Sequence, residues 1–257
     1  MKRPTVILLL LLLAADQFAA ERKPGQIRLL VVTGGHSYNK ETFSEMLNSL
    51  KPHVSWQTAE LPGAYEMFRP ENRDKYDVLL FYHMFQKITP EQQKDFAECI
   101  KAGKPLVALH HSICAYDGWE EYWRIIGGKY FHARTMWDGR EQQPGSYIHD
   151  LKFTANISPG KHPVTRGVGD FELFDETYKG YWVDSSVKPL ITTAEPTSTP
   201  VIGWTKKYGK ARVVVLQPGH DSPTFRNPNY RQLLKQAIMY VAGSHKTTRP
   251  ASFNINK

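Results

Sequence analysis

Short apolar runs alternate with stretches of helical spacing along most of the chain. The segment "IRLLVVT" at 27–33 is almost continuously apolar and rich in β-branched residues, the mark of a strand covered on both faces. "GGHSYN" turns the chain, and "KETFSEMLNSL" at 40–50 sets apolar residues at helical intervals. "VSWQTAE" at 54–60 and "YDVLLFYH" at 76–83 read as the next strands. Thr89, Pro90 and Gln92 then mark a helix start, with a capping box and proline at its first position, and Gly103 stops that helix. "PLVALH" at 105–110 is a further strand, and "DGWEEYWRIIGG" at 117–128 is a helix ended by Gly127 and Gly128. This rhythm predicts an α/β fold: a doubly wound, mainly parallel sheet with helices on both faces.

The second half is less regular. "GSYIHDLKFTA" and "DFELFDETY" are extended pieces separated by the turn-forming "KHPVTRGVG". "KPLITTAE" at 188–195 is a strand, and two β-rich runs about "KKYGK" predict a hairpin. Asn227, Pro228 and Gly243 bound a last helix. No repeat or low-complexity segment interrupts the pattern.

The first 20 residues stand apart. Lys2 and Arg3 precede an apolar run from Val6 to Ala15, and small residues follow at Ala19 and Ala20. That is the layout of a secretory signal peptide. The run is shorter than the roughly 20 apolar residues that span a bilayer. The expectation is therefore a periplasmic or secreted protein with no stable membrane insertion after cleavage, one domain over 21–244, and a flexible tail over 245–257. The formal charge of +8 falls to +4 once the leader and tail are set aside. No Lys/Arg stripe is interleaved with aromatics, which disfavours nucleic-acid binding. The only cysteines are Cys99 and Cys114, which read as two buried thiols or, after export, a disulfide.

The histidines change the picture. His83 and His110 end predicted strands, and His36 and His220 follow others after short turns. Carboxyl ends of parallel strands open on one crevice, so residues distant in sequence can converge there. A lone strand-end histidine is ordinarily a packing residue; four of them argue for a shared polar site. His149 and His162 read as structural. Glu176 and Tyr178 share one strand face in "FDETY", beside Asp175, which suits a general base with a positioning hydroxyl.

The ordered motifs "LVVTGGHSYNKETFSEML", "PLVALHHS", "IIGGKYFHAR", "KHPVTRGV", "DETY" and "GKARVVVLQPGHD" resemble the trehalose-utilisation, or ThuA-like, family over residues 27–243. The resemblance implies a flavodoxin-like fold of the class I glutamine amidotransferase kind. In that fold a cysteine nucleophile occupies the turn where His110 stands here, and Cys114 lies four residues on, so a thiol mechanism is not carried over. The family's histidine positions correspond to His36, His110, His132 and His220, and its acidic motif to Asp175, Glu176 and Tyr178. It implies a sugar-catabolic role connected with 3-keto sugars.

The expected function is a lyase or hydrolase acting on (3-keto) glycosides or disaccharides. His36, His110, Glu176 and His220 are the catalytic candidates. His83, His111, Asp175, Tyr178, Trp119 and Trp137 are the substrate-binding ones, the tryptophans as platforms for a sugar ring. His and Glu suit a divalent metal such as zinc, with His110, His132 and His220 as the expected ligands. The alternatives are a non-catalytic carbohydrate-binding module and a hydrolase with Ser112 or Cys114 as nucleophile, although no G-x-S-x-G elbow surrounds Ser112.

Overall fold

The computed structural model describes residues 25–243. The leader and tail expectations lie outside the described residues. In chain order the elements are β1 (Ile27–Gly34), α1 (Lys40–Asn48), β2 (Val54–Glu60), β3 (Val78–His83), α2 (Pro90–Ala102), β4 (Leu106–Leu109), α3 (Glu120–Ile126), β5 (Gly128–Lys129), β6 (Thr135–Trp137) and β7 (Arg140–Gln142). They continue with β8 (Ser146–Ile157), β9 (Phe171–Lys179), β10 (Trp182–Val183), β11 (Lys188–Thr192), β12 (Val201–Tyr208), β13 (Ala211–Leu216), α4 (Ser222–Arg226) and α5 (Pro228–Val241).

Nine strands form one sheet in the order β2-β1-β3-β4-β13-β12-β11-β8-β9. From β2 to β13 every pairing is parallel, which is the doubly wound half that the apolar runs predict. From β12 to β9 every pairing is antiparallel, and the irregular second half of the sequence supplies these strands. Helices α2 and α3 pack on one face through Phe96, Ile100, Tyr122 and Ile126. Helices α1 and α5 cover the other through Phe43, Met46, Leu233 and Ile238. Parallel strands buried on both sides cannot alternate polar and apolar residues, and β3 and β4 are buried at every position.

The predicted boundary chemistry is present. The Thr89 hydroxyl accepts from the Gln92 amide while the Gln92 side chain accepts from the Thr89 amide. Asn227 accepts from the Asn229 and Tyr230 amides at the start of α5. Cys99 and Cys114 are both free, buried thiols. Among the described residues no helix is long and apolar enough to cross a membrane.

Two departures shape the site. After β4 the chain enters a 3-10 turn over His110–Cys114 with His110 at φ 47°, a left-handed conformation that points its ring over the sheet end. In the β8–β9 pair, Ile148 faces Thr177 and Leu151 faces Asp175, so His149 and Asp150 together oppose Glu176. This is a β-bulge, with Asp150 at φ 57°, and such insertions re-aim a side chain.

Candidate functional site

Three side chains from separate elements meet beyond the carboxyl ends of the parallel strands. His110 comes from the turn after β4, His220 from the loop after β13, and Glu176 from β9. His110 Nε2 lies 3.0 Å from Glu176 Oε2 and 3.2 Å from His220 Nδ1, and His220 Nδ1 lies 3.2 Å from Glu176 Oε2. Glu176 is 3 % exposed and His110 fully buried.

The protons on this triangle can be assigned in part. His110 Nδ1 sits 2.8 Å from the Gln217 carbonyl, which only accepts, so Nδ1 carries the hydrogen. In the neutral ring Nε2 then directs its lone pair at a carboxylate oxygen. Two lone-pair atoms 3.0 Å apart are stable only with a cation at hand, either a proton or a metal ion. The Tyr178 hydroxyl lies 3.2 Å from the same Nε2, its ring stacked on His110.

The group fits a metal. His110, Glu176 and His220 each offer one ligand atom to a common point. A tetrahedral ion with ligand bonds of about 2.0–2.1 Å spaces its ligand atoms about 3.3–3.4 Å apart, close to the triangle found here. Two histidines and one carboxylate on one face are a recurrent metal-binding set. The bond from His110 to a backbone carbonyl is the support that metal-bound histidines usually have.

Electrostatics agree with a cation-seeking site. Burial acts to raise the pKa of Glu176, but hydrogen bonds from His110 and His220 outweigh it and hold the carboxyl far below its ordinary range. The bond to Glu176 raises that of His220 against the opposing effect of burial. His36, at the exposed rim, is pushed down by desolvation and by the charges of His110 and His220. Its ring contacts those of His111 and His220, at 4.6 and 5.9 Å.

These groups line a cleft of about 400 Å3, within the range of small-ligand sites. His36, Glu176, Tyr178 and His220 border it, together with Tyr130, His132, His149, Phe85 and Tyr147. Four of the sequence candidates therefore gather at one place, with His110 immediately behind them. His132 also reaches the cleft, but as a partner of Asp117 (Nδ1–Oδ2 3.1 Å), not as a member of the triangle; Glu176 occupies the position expected of it.

The remaining candidates lie outside the cleft, except Cys114, which is part of its lining. Asp175 accepts four hydrogen bonds, from the amides of Glu176, Gly219 and His220 and from the Thr224 hydroxyl. It ties the β13–α4 loop to β9 and does not line the cleft. His83 is fully buried against Phe81, Tyr116 and Tyr122, and burial pushes its pKa down to about 3. His111 is buried beside Tyr82, its pKa likewise driven well down by burial. Trp119 packs on Phe96 and Tyr122, and Trp137 on Trp123 and Trp182, so both are core residues and not platforms. Ser112 donates to the Phe81 carbonyl and is buried, and burial pushes the Cys114 thiol far up; neither is set up as a nucleophile.

Several cleft residues, among them Tyr130, His149, Phe85 and Tyr147, were not read as site residues from the sequence. His149 lies 3.3 Å from Glu176 Oε1 and so steadies the oxygen that His110 and His220 leave free. The signal was present: Leu151, Phe153 and Ala155 keep a period of two, while Ile148 to Leu151 is a step of three. Phe85 and Tyr147 are 58 % and 57 % exposed, each packed on a cleft histidine. Nothing in their sequence surroundings marks them.

A family model described as "ThuA: Trehalose utilisation" matches residues 28–241. No curated protein matches. Among solved structures, a ThuA-like protein from Parabacteroides merdae superposes with a TM-score of 0.71 at 18 % identity, covering 85 % of this chain and 91 % of that one. A ThuA-like protein from Bacteroides uniformis gives 0.62 at 16 % identity, covering 87 % and 94 %. A cytoplasmic protein from Salmonella typhimurium LT2 gives 0.57 at 10 % identity, covering 83 % and 99 %. At these identities the structures speak for the fold alone.

Proposed function

Because the chain belongs to the trehalose-utilisation (ThuA) family, we propose that it is a sugar-catabolic enzyme that cleaves 3-keto glycosides at the His110–Glu176–His220 site. The observation that carries the reading is the approach of two imidazole nitrogens and one carboxylate oxygen, with one imidazole anchored on a backbone carbonyl. His110, Glu176 and His220 would hold a divalent ion such as zinc. When bound, such an ion supplies electrophilic stabilisation to a carbonyl and a neighbouring hydroxyl.

A carbonyl at C3 acidifies the C2 hydrogen. Removing that proton and expelling the C1 oxygen then needs no oxocarbenium ion. Glu176, His110 and His220 are committed to the triangle, His149 to Glu176 and His132 to Asp117, which leaves His36 as the rim imidazole able to take the C2 proton. Tyr178 offers its hydroxyl to a sugar oxygen. Phe85 and Tyr147 present flat faces to the ring, the role first expected of Trp119 and Trp137. The leader layout supports export of the mature chain; cell fractionation followed by N-terminal sequencing tests this.

The test is turnover of methyl and 4-nitrophenyl 3-keto-glucosides and of their unoxidised parents, with and without chelator. The reading expects metal-dependent release of the aglycone from the 3-keto compounds. His110→Ala should abolish turnover while sugar binding persists. Saturable binding without turnover by the wild-type protein would instead mark a carbohydrate-binding module.

A further inference from the structure

At the edge of the cleft, His132 belongs to a second constellation whose other members, Asp117 and Lys129, line a neighbouring pocket. We infer that His132, held by Asp117, donates the proton that the departing aglycone oxygen needs. This rests on the proposed glycoside cleavage and assigns one of its steps.

Lys129 begins the argument. Its side chain is 2 % exposed, its ammonium group lies over the Trp123 ring at 4.9 Å, and the carboxylate it meets is Asp117. A buried cation stripped of its carboxylate is costly, so Lys129 fixes where Asp117 stands. The loop is shaped for this purpose: Tyr116 and Gly118, on either side of Asp117, both take left-handed φ values of 55° and 83°. Asp117 in turn lies 3.1 and 3.3 Å from His132 Nδ1 through its two oxygens. A carboxylate only accepts, so Nδ1 carries a hydrogen and Nε2 is the working nitrogen. Phe85 and Tyr130 hold the ring plane, with centroids at 4.8 and 5.2 Å.

His132 and Glu176 border the same cleft, yet His132 takes no part in the triangle. Tyr130 stands between the two groups, its ring 5.2 Å from both His132 and Tyr178. An acid is needed there for a balanced reaction. The C2 proton goes to the base, and its bonding pair forms the C1–C2 double bond. The C1–O bond breaks with its pair on oxygen, and that oxygen takes the Nε2 proton of a His132 imidazolium. Asp117 stabilises the imidazolium before transfer, and solvent returns the proton afterwards. In these terms His132 is a catalytic residue, and Asp117 and Lys129 are positioning residues.

Leaving-group dependence tests the inference. Nitrophenolate departs without protonation, whereas methoxide cannot. His132→Ala should lose about 100-fold or more in kcat/KM on methyl 3-keto-glucoside, the low end of a general acid's contribution, and only a few-fold on the 4-nitrophenyl compound. Asp117→Asn should show the same asymmetry at smaller size. His132→Gln serves as a second variant, and an unchanged melting temperature and zinc affinity check the fold of each. Equal losses on both substrates, or none, overturn the inference while leaving the proposed function standing. A wild-type protein inactive on both overturns the two together.

Discussion

Asp175→Asn is the sharpest test of how the site is assembled, because Asp175 lines no part of the cleft and reaches the triangle only through the backbone amides of Glu176 and His220. Its Oδ1 accepts from the Glu176 and His220 amides at 2.8 and 2.9 Å. Its Oδ2 accepts from the Gly219 amide at 2.6 Å and from the Thr224 hydroxyl at 2.8 Å. Asparagine keeps the shape but turns one oxygen into a donor. The cheaper orientation puts the NH2 at the Oδ2 position, where Thr224 can rotate to accept and the Gly219 amide is left facing another donor. One orphaned buried amide costs about 1–3 kcal/mol, and the other bonds lose their charge assistance, so the total comes to about 2–4 kcal/mol. For a chain of this size that is a fall in Tm of roughly 5–15 °C. Urea unfolding and calorimetry measure it directly. Because His220 loses its amide anchor, zinc affinity should fall as well. A variant within 1 kcal/mol of wild type, binding zinc as tightly, would refute the claim that this carboxylate holds the β13–α4 loop in place.

Other outcomes follow from the same geometry. Trp137→Ala should cost about 3–5 kcal/mol of stability, as for other buried aromatics, whereas Phe85→Ala and Tyr147→Ala should leave Tm nearly unchanged and raise KM; the opposite pattern in melting and kinetics would reverse their roles. Iodoacetamide at pH 8 should leave Cys99 and Cys114 unmodified in the folded protein and label both in urea, as mass spectrometry can show; fast labelling of Cys114 without denaturant would restore the thiol nucleophile. The hydrogen bond from His132, aided by Lys129 against desolvation, holds the Asp117 pKa down at about 2. Its small stabilisation is therefore present above the unfolded value near pH 3.9 and is lost as pH falls toward 2. The Tm gap between wild type and Asp117→Asn should close across that interval, and a gap that stays constant would contradict the assignment.

The parallel half of the sheet was legible because strands buried on both faces leave near-continuous apolar runs, as "VLLFY" and "VVVL" do. The approach of His36, His110 and His220 was legible for a topological reason: parallel strands end on one side. Glu176 and Tyr178, inside the antiparallel β9, were legible only from their residue types and the family resemblance. What the pattern does not carry is the direction of each ring. His83 and His110 both end strands, yet His83 shares a face with Phe81 and points into the α2–α3 core. His110 is turned over the sheet end by a left-handed φ that its residue type does not announce. Backbone contacts decide other positions. Gly35, at φ 77°, lies where a Cβ would collide with the Met84 carbonyl, and a Cβ on Gly219 would sit 2.6 Å from the Tyr230 hydroxyl. Both glycines bring a histidine to the rim, and neither requirement shows in a linear sequence. The tryptophans misled because aromatic content signals a sugar platform and a packed core equally well.

Metal uptake by stripped protein, read by equilibrium dialysis and elemental analysis, addresses the triangle without needing a substrate. The structure leads us to expect one zinc per wild-type chain, binding at least about tenfold weaker in Glu176→Gln, and wild-type affinity in His132→Ala. Wild-type protein that takes up no zinc, or Glu176→Gln that binds it equally well, would contradict the assignment of these three residues to one centre.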